Sequence, residues 1–407
     1  MYNRFIEAGI SLERIELSLS EGSYSSFIAQ LSEQGGKKEI NNTYKPCEVG
    51  IIGAGDFAVS LYQSFRSELN ILFYDFEPTR NIFSSVTRIS TNRSFAHHFG
   101  ANVDFTADLS KVLESKFIVL CVPANAIPSI IDQIKLAIPD SYKQKQYVLV
   151  SKGFVGKGYI PHRWLQKSGI PFEQIIWASG GNVAKEVVEK KGFKISVVSI
   201  NKNKKARREF SGFFNKEYLV AVEYSGSALL ACELGGILKN YYAGLGRYIL
   251  SKYGEDALKK YKYMVRSEFR KSVRMVSGSP TVSIRGWVIR KASHGPAFWE
   301  DLDVTIRDGR NGFFGEAVFS GSGVAKALND LGLVESFKTV FSTLSLFNRL
   351  SRHRFKKLKV LKAILDIYEE LHIEYLERGD AYVSDDSKIM IASLEKMILS
   401  YKPNWLF

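Results

Sequence analysis

The chain has 407 residues, 45% of them hydrophobic, and a formal net charge of +14. That length supports two domains with separate cores, and no apolar run approaches the roughly 18 residues that a membrane-spanning helix needs. The basic balance fits a polyanion partner or phosphate-bearing ligands, but neither zinc-finger spacing nor an RNA-recognition motif accompanies it, so dedicated nucleic-acid binding is not expected. The first residues, with Arg4, Glu7, Glu13 and Arg14, lack the pattern of a signal peptide. Cys47, Cys121 and Cys232 are widely spaced and odd in number, which fits neither a disulfide framework nor a zinc cluster and points to a reducing cytoplasm.

Residues 1–46 are polar and serine-rich and read as an N-terminal extension. From Cys47 the pattern changes. Val49-Gly50-Ile51-Ile52 is a short apolar run ending in glycine, the pattern of a buried parallel strand, and Ala58 to Phe65 reads as the helix after it. Asn70 to Tyr74, Phe117 to Val122, Gln146 to Val150, Ile175 to Trp177 and Ile195 to Val198 continue as strands. Strands alternating with helical segments predict a Rossmann-like, doubly wound parallel sheet over 47–225. After about Ser225 the strand signal fades. Helices are expected at Leu229–Leu250, Tyr261–Val276, Phe337–Leu350, Lys357–Leu371 and Ser387–Leu399, so 226–407 is expected to be an all-helical domain that binds the substrate.

Within this frame, Gly53-x-Gly55-x-x-Ala58, with Asp56 and Phe57 between, follows a strand and opens a helix. Such a turn lets a pyrophosphate approach the backbone and meet the free N–H groups of the helix start. Asp75 ends the second strand, where a carboxylate binds an adenosine ribose and repels a 2′-phosphate. This favours NAD, and nearby Arg80 leaves NADP open. Lys152 stands at the carboxyl end of a strand, where parallel sheets present ligand contacts. Lys239 sits in a nearly apolar helical stretch, where an ammonium is costly without a partner or a task. Arg310-Asn311 lies between Gly309 and Gly312, a planar cationic fork on approachable backbone.

These features resemble the NAD(P)-dependent glycerol-3-phosphate dehydrogenases. The likeness is carried by the glycine turn, Val122-Pro123, Lys152-Gly153, Ser179-Gly180 with Ala184 and Glu186, Glu233 through Asn240, and Asp301-Leu302 with Thr305, Arg310 and Asn311. It implies hydride transfer between NAD and a small phosphorylated substrate, sn-glycerol 3-phosphate or dihydroxyacetone phosphate. Lys239 is then the acid/base, Lys152 stabilises the oxygen and binds substrate, and Asp301 orients and tunes a lysine. Gly180, Asn182, Asn240, Thr305, Arg310 and Asn311 contact the substrate. Gly53, Gly55, Asp56, Phe57, Ala58, Asp75, Ala184, Arg310 and Glu335 contact the cofactor. A homodimer through the helical domain is expected.

The chain departs from the family pattern at Glu300, where the family has glycine, at Gly181, where it has proline, and at Val265-Arg266-Ser267, where it has Thr-Arg-Gly. Two alternatives therefore stand beside the main reading. One is the same chemistry on another phosphorylated hydroxy compound; the other is a dehydrogenase-derived binding protein without catalysis. His97-His98 do not share a face and have no partner cluster, so no metal is expected. His294 reads as loop packing. The basic stretch Arg349 to Leu361 reads as a solvated helix face, with contact to an anionic membrane surface as the alternative.

Overall fold

The computed structural model describes residues 47–53, 56–74, 88–89, 96–97, 104–106, 108–156, 158–180, 193–214, 219–224, 228–277, 296–332 and 334–401. The N-terminal extension, Gly55, Asp75, Asn182, Ala184, His98 and His294 lie outside the described residues.

The strands are β1 (Val49–Ile52), β2 (Ile71–Tyr74), β3 (Arg88–Ile89), β4 (Ala96–His97), β5 (Asp104–Thr106), β6 (Phe117–Leu120), β7 (Gln146–Leu149), β8 (Ile175–Gly180), β9 (Phe193–Ser199) and β10 (Leu219–Tyr224). Eight of them form one sheet in the order β10-β9-β8-β7-β6-β1-β2-β5, and β3 with β4 makes a small separate pair. β1 pairs in parallel with both β2 and β6, so the chain reverses its winding direction at β1.

Strand residues alternate between two cores, as a period of two requires. Ile52, Leu72, Ile118, Leu120 and Leu149 face one; Val49, Ile51, Phe73, Val119 and Val148 face the other. Both faces are covered, which explains why the strands read as unbroken apolar runs. One part of the expectation is corrected. β8 and β9 run antiparallel, so the sheet is mostly rather than wholly parallel. Apolar periodicity identifies a strand but carries no information about its direction.

Helices α1 (Asp56–Ser64), α2 (Leu109–Val112), α3 (Ile127–Ala137), α4 (Pro161–Lys167) and α5 (Lys204–Ser211) lie between the strands. The second half of the chain is helical. It comprises α6 (Leu229–Ser277), α7 (Asp301–Asp308), α8 (Arg310–Phe319), α9 (Val324–Leu331), α10 (Glu335–Lys338), α11 (Val340–Phe355), α12 (Lys359–Arg378) and α13 (Asp385–Leu399). A single π-helical turn, Pro296–Glu300, leads into α7.

α6 is broken at Gly254, whose positive φ of 77° is cheap only for glycine. The two expected helices are therefore its two arms. They run side by side, and the Tyr261 hydroxyl donates to the Tyr242 carbonyl across them at 2.6 Å. α12 begins on the second arm. The buried Glu268 carboxylate accepts from the backbone N–H groups of Val360 (2.9 Å) and Leu361 (3.0 Å), satisfying donors the helix start leaves open.

α8 crosses the first arm of α6 at a glycine contact. A Cβ on Gly244 would lie 3.0 Å from the Gly315 Cα and 2.5 Å from the Tyr368 hydroxyl. A Cβ on Gly315 would run into the Gly244 backbone. Only hydrogen at both positions lets the start of α8 reach the middle of α6. Gly315→Ala should therefore cost about 1–3 kcal/mol by overpacking, seen as a lower Tm in thermal melts. An unchanged Tm would mean that the helices do not approach this closely.

Candidate functional site

The site forms where the sheet's carboxyl edge meets α6, α7 and α8. Lys152 follows β7. Its ammonium donates to Asp301 Oδ2 at 2.9 Å and to the Gly180 carbonyl at the end of β8 at 3.0 Å. Lys239, on the first arm of α6, donates to Asp301 Oδ1 at 2.5 Å and to Thr305 Oγ1 at 2.7 Å. Thr305 in turn donates to the Asp301 carbonyl at 2.6 Å, one turn back on α7. Two lysines thus share one carboxylate. The Asp301 and Lys239 side chains are only 2% and 8% exposed, whereas Lys152 is 21% exposed and forms the open side.

Burial lowers the Lys239 ammonium from the ordinary lysine value to about 8. Asp301 opposes that shift, and the charge on Lys152 reinforces it. Lys239 does not snorkel to solvent as a lone helical lysine usually does. It is held inside by a carboxylate and a hydroxyl, and its proton is mobile near neutral pH.

Glycines let these groups converge. A Cβ on Gly236 would touch the Lys152 stem at 3.5 Å, so that stem lies across α6 one turn before Lys239. Gly153 takes a φ of 150°, and a Cβ there would lie 3.1 Å from Glu335 Oε1. Glu335, which starts α10, therefore borders the Lys152 loop.

Beside the lysines, Asn311 Nδ2 donates to Asn240 Oδ1 at 3.3 Å, and Asn311 Oδ1 accepts from the Ser336 backbone N–H at 2.9 Å. The second contact fixes the Asn311 amide. The first leaves the Asn240 amide nitrogen as a donor. Arg310 is the exposed first residue of α8, and a Cβ on Gly332 would lie 3.7 Å from its guanidinium. Gly309 precedes it in an extended conformation, so α8 starts without a side-chain cap. α8 thus begins four residues earlier than the apolar pattern from Phe314 suggests.

The cofactor turn lies at the winding reversal. Gly53 ends β1 with a φ of 95°, and a Cβ there would meet the Cys121 carbonyl at 2.5 Å. Its N–H donates to the Tyr74 carbonyl at 2.9 Å. α1 starts at Asp56, half-buried Phe57 follows, and Ala58 is fully buried against the sheet. A glycine packed too closely on Cys121 for any side chain, followed by a helix start, suits the turn that a pyrophosphate approaches. Cys121 is pushed up to about 12 by burial and is inert as a thiolate.

The structure therefore brings Lys152, Gly180, Lys239, Asp301 and Thr305 into one bonded cluster, with Asn240 and Asn311 paired beside it. Arg310 and Glu335 stand at the rim. Thr305 Oγ1, expected to contact substrate, is already engaged by Lys239 and the Asp301 carbonyl. Ser336 was not expected here, because its contribution is a backbone N–H that carries no side-chain signal. His162 was also missed. It meets the buried Glu233 carboxylate, a contact across 71 residues of sequence. Among the described residues no group of three or more His, Cys, Asp or Glu could hold a metal ion, and no helix is long and apolar enough to cross a membrane.

Residues 48–206 match the family model described as NAD-dependent glycerol-3-phosphate dehydrogenase N-terminus. The NADP(+)-dependent glycerol-3-phosphate dehydrogenase of Archaeoglobus fulgidus is 25% identical over 293 residues, covering 68% of this chain and 81% of the relative. A glycerol-3-phosphate dehydrogenase [NAD(P)+] of Clostridium botulinum is 25% identical over 306 residues, covering 70% and 83%. The fold is that of the glycerol-3-phosphate dehydrogenase structure from Coxiella burnetii, with a TM-score of 0.66 at 18% identity over 86% of this chain and 98% of that one. The yeast enzyme structure gives 0.65 at 16% identity over 87% and 99%. With the family model over the nucleotide turn and relatives that cover about two thirds of the chain, this protein is similar to the NAD(P)-dependent glycerol-3-phosphate dehydrogenases.

Proposed function

We propose that this protein interconverts sn-glycerol 3-phosphate and dihydroxyacetone phosphate. The observation that carries the reading is the shared carboxylate: Asp301 holds two lysines, and one of them, Lys239, has its pKa brought to about 8. The nicotinamide, when bound, supplies or accepts the hydride. Gly53, Ala58 and the start of α1 would hold its pyrophosphate, with Glu335 near the Lys152 loop. The sheet region to about residue 225 serves the cofactor, and the helices beyond it serve the substrate.

In the reducing direction, negative charge develops on the carbonyl oxygen. Lys239 donates its proton there, and Lys152, held by Gly180 and Asp301, stabilises the charge from the open side. Thr305 keeps the Lys239 ammonium aimed, and Asp301 keeps both lysines within reach. The phosphate is bound by the Arg310 guanidinium, by the uncapped start of α8 and by the donor nitrogen of Asn240, with Asn311 orienting Asn240. In oxidation Lys239 starts neutral and takes the hydroxyl proton.

Half-buried Glu300 stands where the family has glycine, next to Asp301, and it favours a second reading in which the same chemistry acts on a different phosphorylated hydroxy compound. A cytoplasmic location accords with three free cysteines, and the homodimer rests on the family resemblance alone. In the basic stretch, Arg349 donates to the Gly158 carbonyl at 3.1 Å. It is thus turned toward the Lys152 loop, and an anionic membrane surface would have to be met by the residues after it.

NADH oxidation by the purified protein should require dihydroxyacetone phosphate. Turnover only with another phosphorylated ketone would select the second reading, and none with any would remove the function. Lys239→Ala should lower kcat by about 10²–10⁴-fold with NADH affinity retained; lost NADH binding with surviving turnover would refute the assignment. Arg310→Ala should raise KM roughly 10- to 100-fold, the loss of a charged hydrogen bond, and an unchanged KM would take it out of the phosphate site. Because reduction needs Lys239 protonated, its rate should fall as pH rises through about 8, while the oxidation rate should rise through the same value. Profiles flat across that value would exclude Lys239 as the proton carrier.

A further inference from the structure

Glu233 lies at the start of α6, two turns before Lys239, with its side chain 1% exposed. Its carboxylate faces the Rossmann-like region. Oε1 accepts from the backbone N–H of His162 at 3.1 Å, and Oε2 meets His162 Nδ1. The His162 ring is itself buried and stacked on Phe172, with centroids 5.7 Å apart and an interplanar angle of 18°. The next residue, Arg163, donates to the Val276 carbonyl at the far end of α6 at 3.1 Å. α4 is therefore fastened to both arms of α6 by two adjacent residues.

Several described residues between Lys152 and His162 are tied down. Ser151 Oγ donates to the Val122 carbonyl at its start. Val155 and Tyr159 bond reciprocally at 2.8 and 3.1 Å. Gly158, with φ of 81°, sits against the Ser342 carbonyl of α11, where a Cβ would come within 2.5 Å. A segment tied down in this way transmits the position of its end. Along α6, Glu233 holds His162, Gly236 supports the Lys152 stem, and Lys239 shares Asp301 with Lys152. These contacts fall on successive turns of one helix.

We infer that Glu233 is a positioning residue for the reaction, which by holding His162 sets the separation of the Lys152 and Lys239 ammonium groups. The inference rests on the reading of Lys239 as the proton carrier. The charged groups facing Lys239 are Asp301 on α7 and Lys152 after β7, with the Thr305 hydroxyl beside them; the charged group facing the Glu233–His162 contact is Arg163. If the Lys152 loop retreats, Lys239 loses the repulsion of a neighbouring cation while keeping Asp301. Its proton is then held more tightly.

The test is competitive acetylation with labelled acetic anhydride over a pH series, with Lys239 and Lys152 read by peptide mass spectrometry. It needs neither turnover nor cofactor. In the wild-type protein Lys239 should half-titrate near about 8. Glu233→Ala should move that midpoint up by about one pH unit, the lower end of what one close charge does, and should lower kcat more than it changes KM. Glu233→Gln keeps a hydrogen-bond partner for both the His162 backbone N–H and the ring Nδ1, and should restore most of the wild-type midpoint. His162→Phe keeps the stack on Phe172 and should shift Lys239 in the same direction as Glu233→Ala, so the inference stays testable where that variant does not fold. A lower Tm with the Lys239 midpoint unmoved in both variants would make the pair structural and overturn the positioning role. Absence of turnover in the wild type would instead count against the proposed function, and the acetylation midpoints would still decide this inference.

Discussion

One buried carboxylate between two lysines is the constraint on which the rest of the molecule depends. A buried carboxylate and buried ammonium groups need partners, and here each supplies the other's. The three groups come from three places: the edge of the sheet, the first arm of α6 and the start of α7. No one of these elements can satisfy its charged group alone. The cluster is therefore a joint between the sheet and the helices, and in the proposed function it is also the reaction centre. A site made this way is complete only when the whole chain has folded around it.

The same arrangement sets the acidity of Lys239 by competition. Burial and the Lys152 charge favour the neutral amine, and Asp301 favours the ammonium. Were Asp301 the sole influence, the proton would be held too tightly to give away near neutral pH. Were burial alone at work, the amine would not carry a proton to donate. A proton carrier that serves both directions needs the balance between them. Small displacements of Lys152 then matter more for chemistry than for stability, and this gives the packing of its loop against Gly236, Ser342 and His162 a functional meaning.

Much of this was legible before the structure, and unevenly so. Lys239 could be read because an ammonium inside an apolar helical stretch contradicts its surroundings, and a contradiction of that kind marks a site. The strands β1, β6 and β7 could be read because burial on both faces leaves unbroken apolar runs. The direction of β9 could not, because side-chain periodicity is the same either way. α3 carries Ile127, Ile130, Ile131 and Ile134 at helical spacing and was passed over, although its pattern was available. The engagement of Thr305 and the pairing of Glu233 with His162 had no local signal. Both depend on which side chains meet across long stretches of sequence, and chain spacing says nothing about that.

In the proposed function, the cations that tune the site also bear on which ligands it would prefer. Asp301 with Lys152 and Lys239 leaves one net positive charge, and Arg310 adds another on the exposed rim. A doubly charged phosphate entering there would balance the excess, whereas a neutral hydroxy compound would leave it uncompensated. Discrimination for a phosphorylated substrate therefore does not need a phosphate pocket separate from the catalytic groups. In the proposed reading it follows from a centre that carries excess positive charge when Lys239 is protonated, beside the uncapped start of α8. The close crossing of α8 over α6 at Gly244 and Gly315 brings that helix start into range. If Arg310 binds the phosphate as proposed, the glycine contact bears on substrate choice as well, because it sets where α8 begins relative to α6.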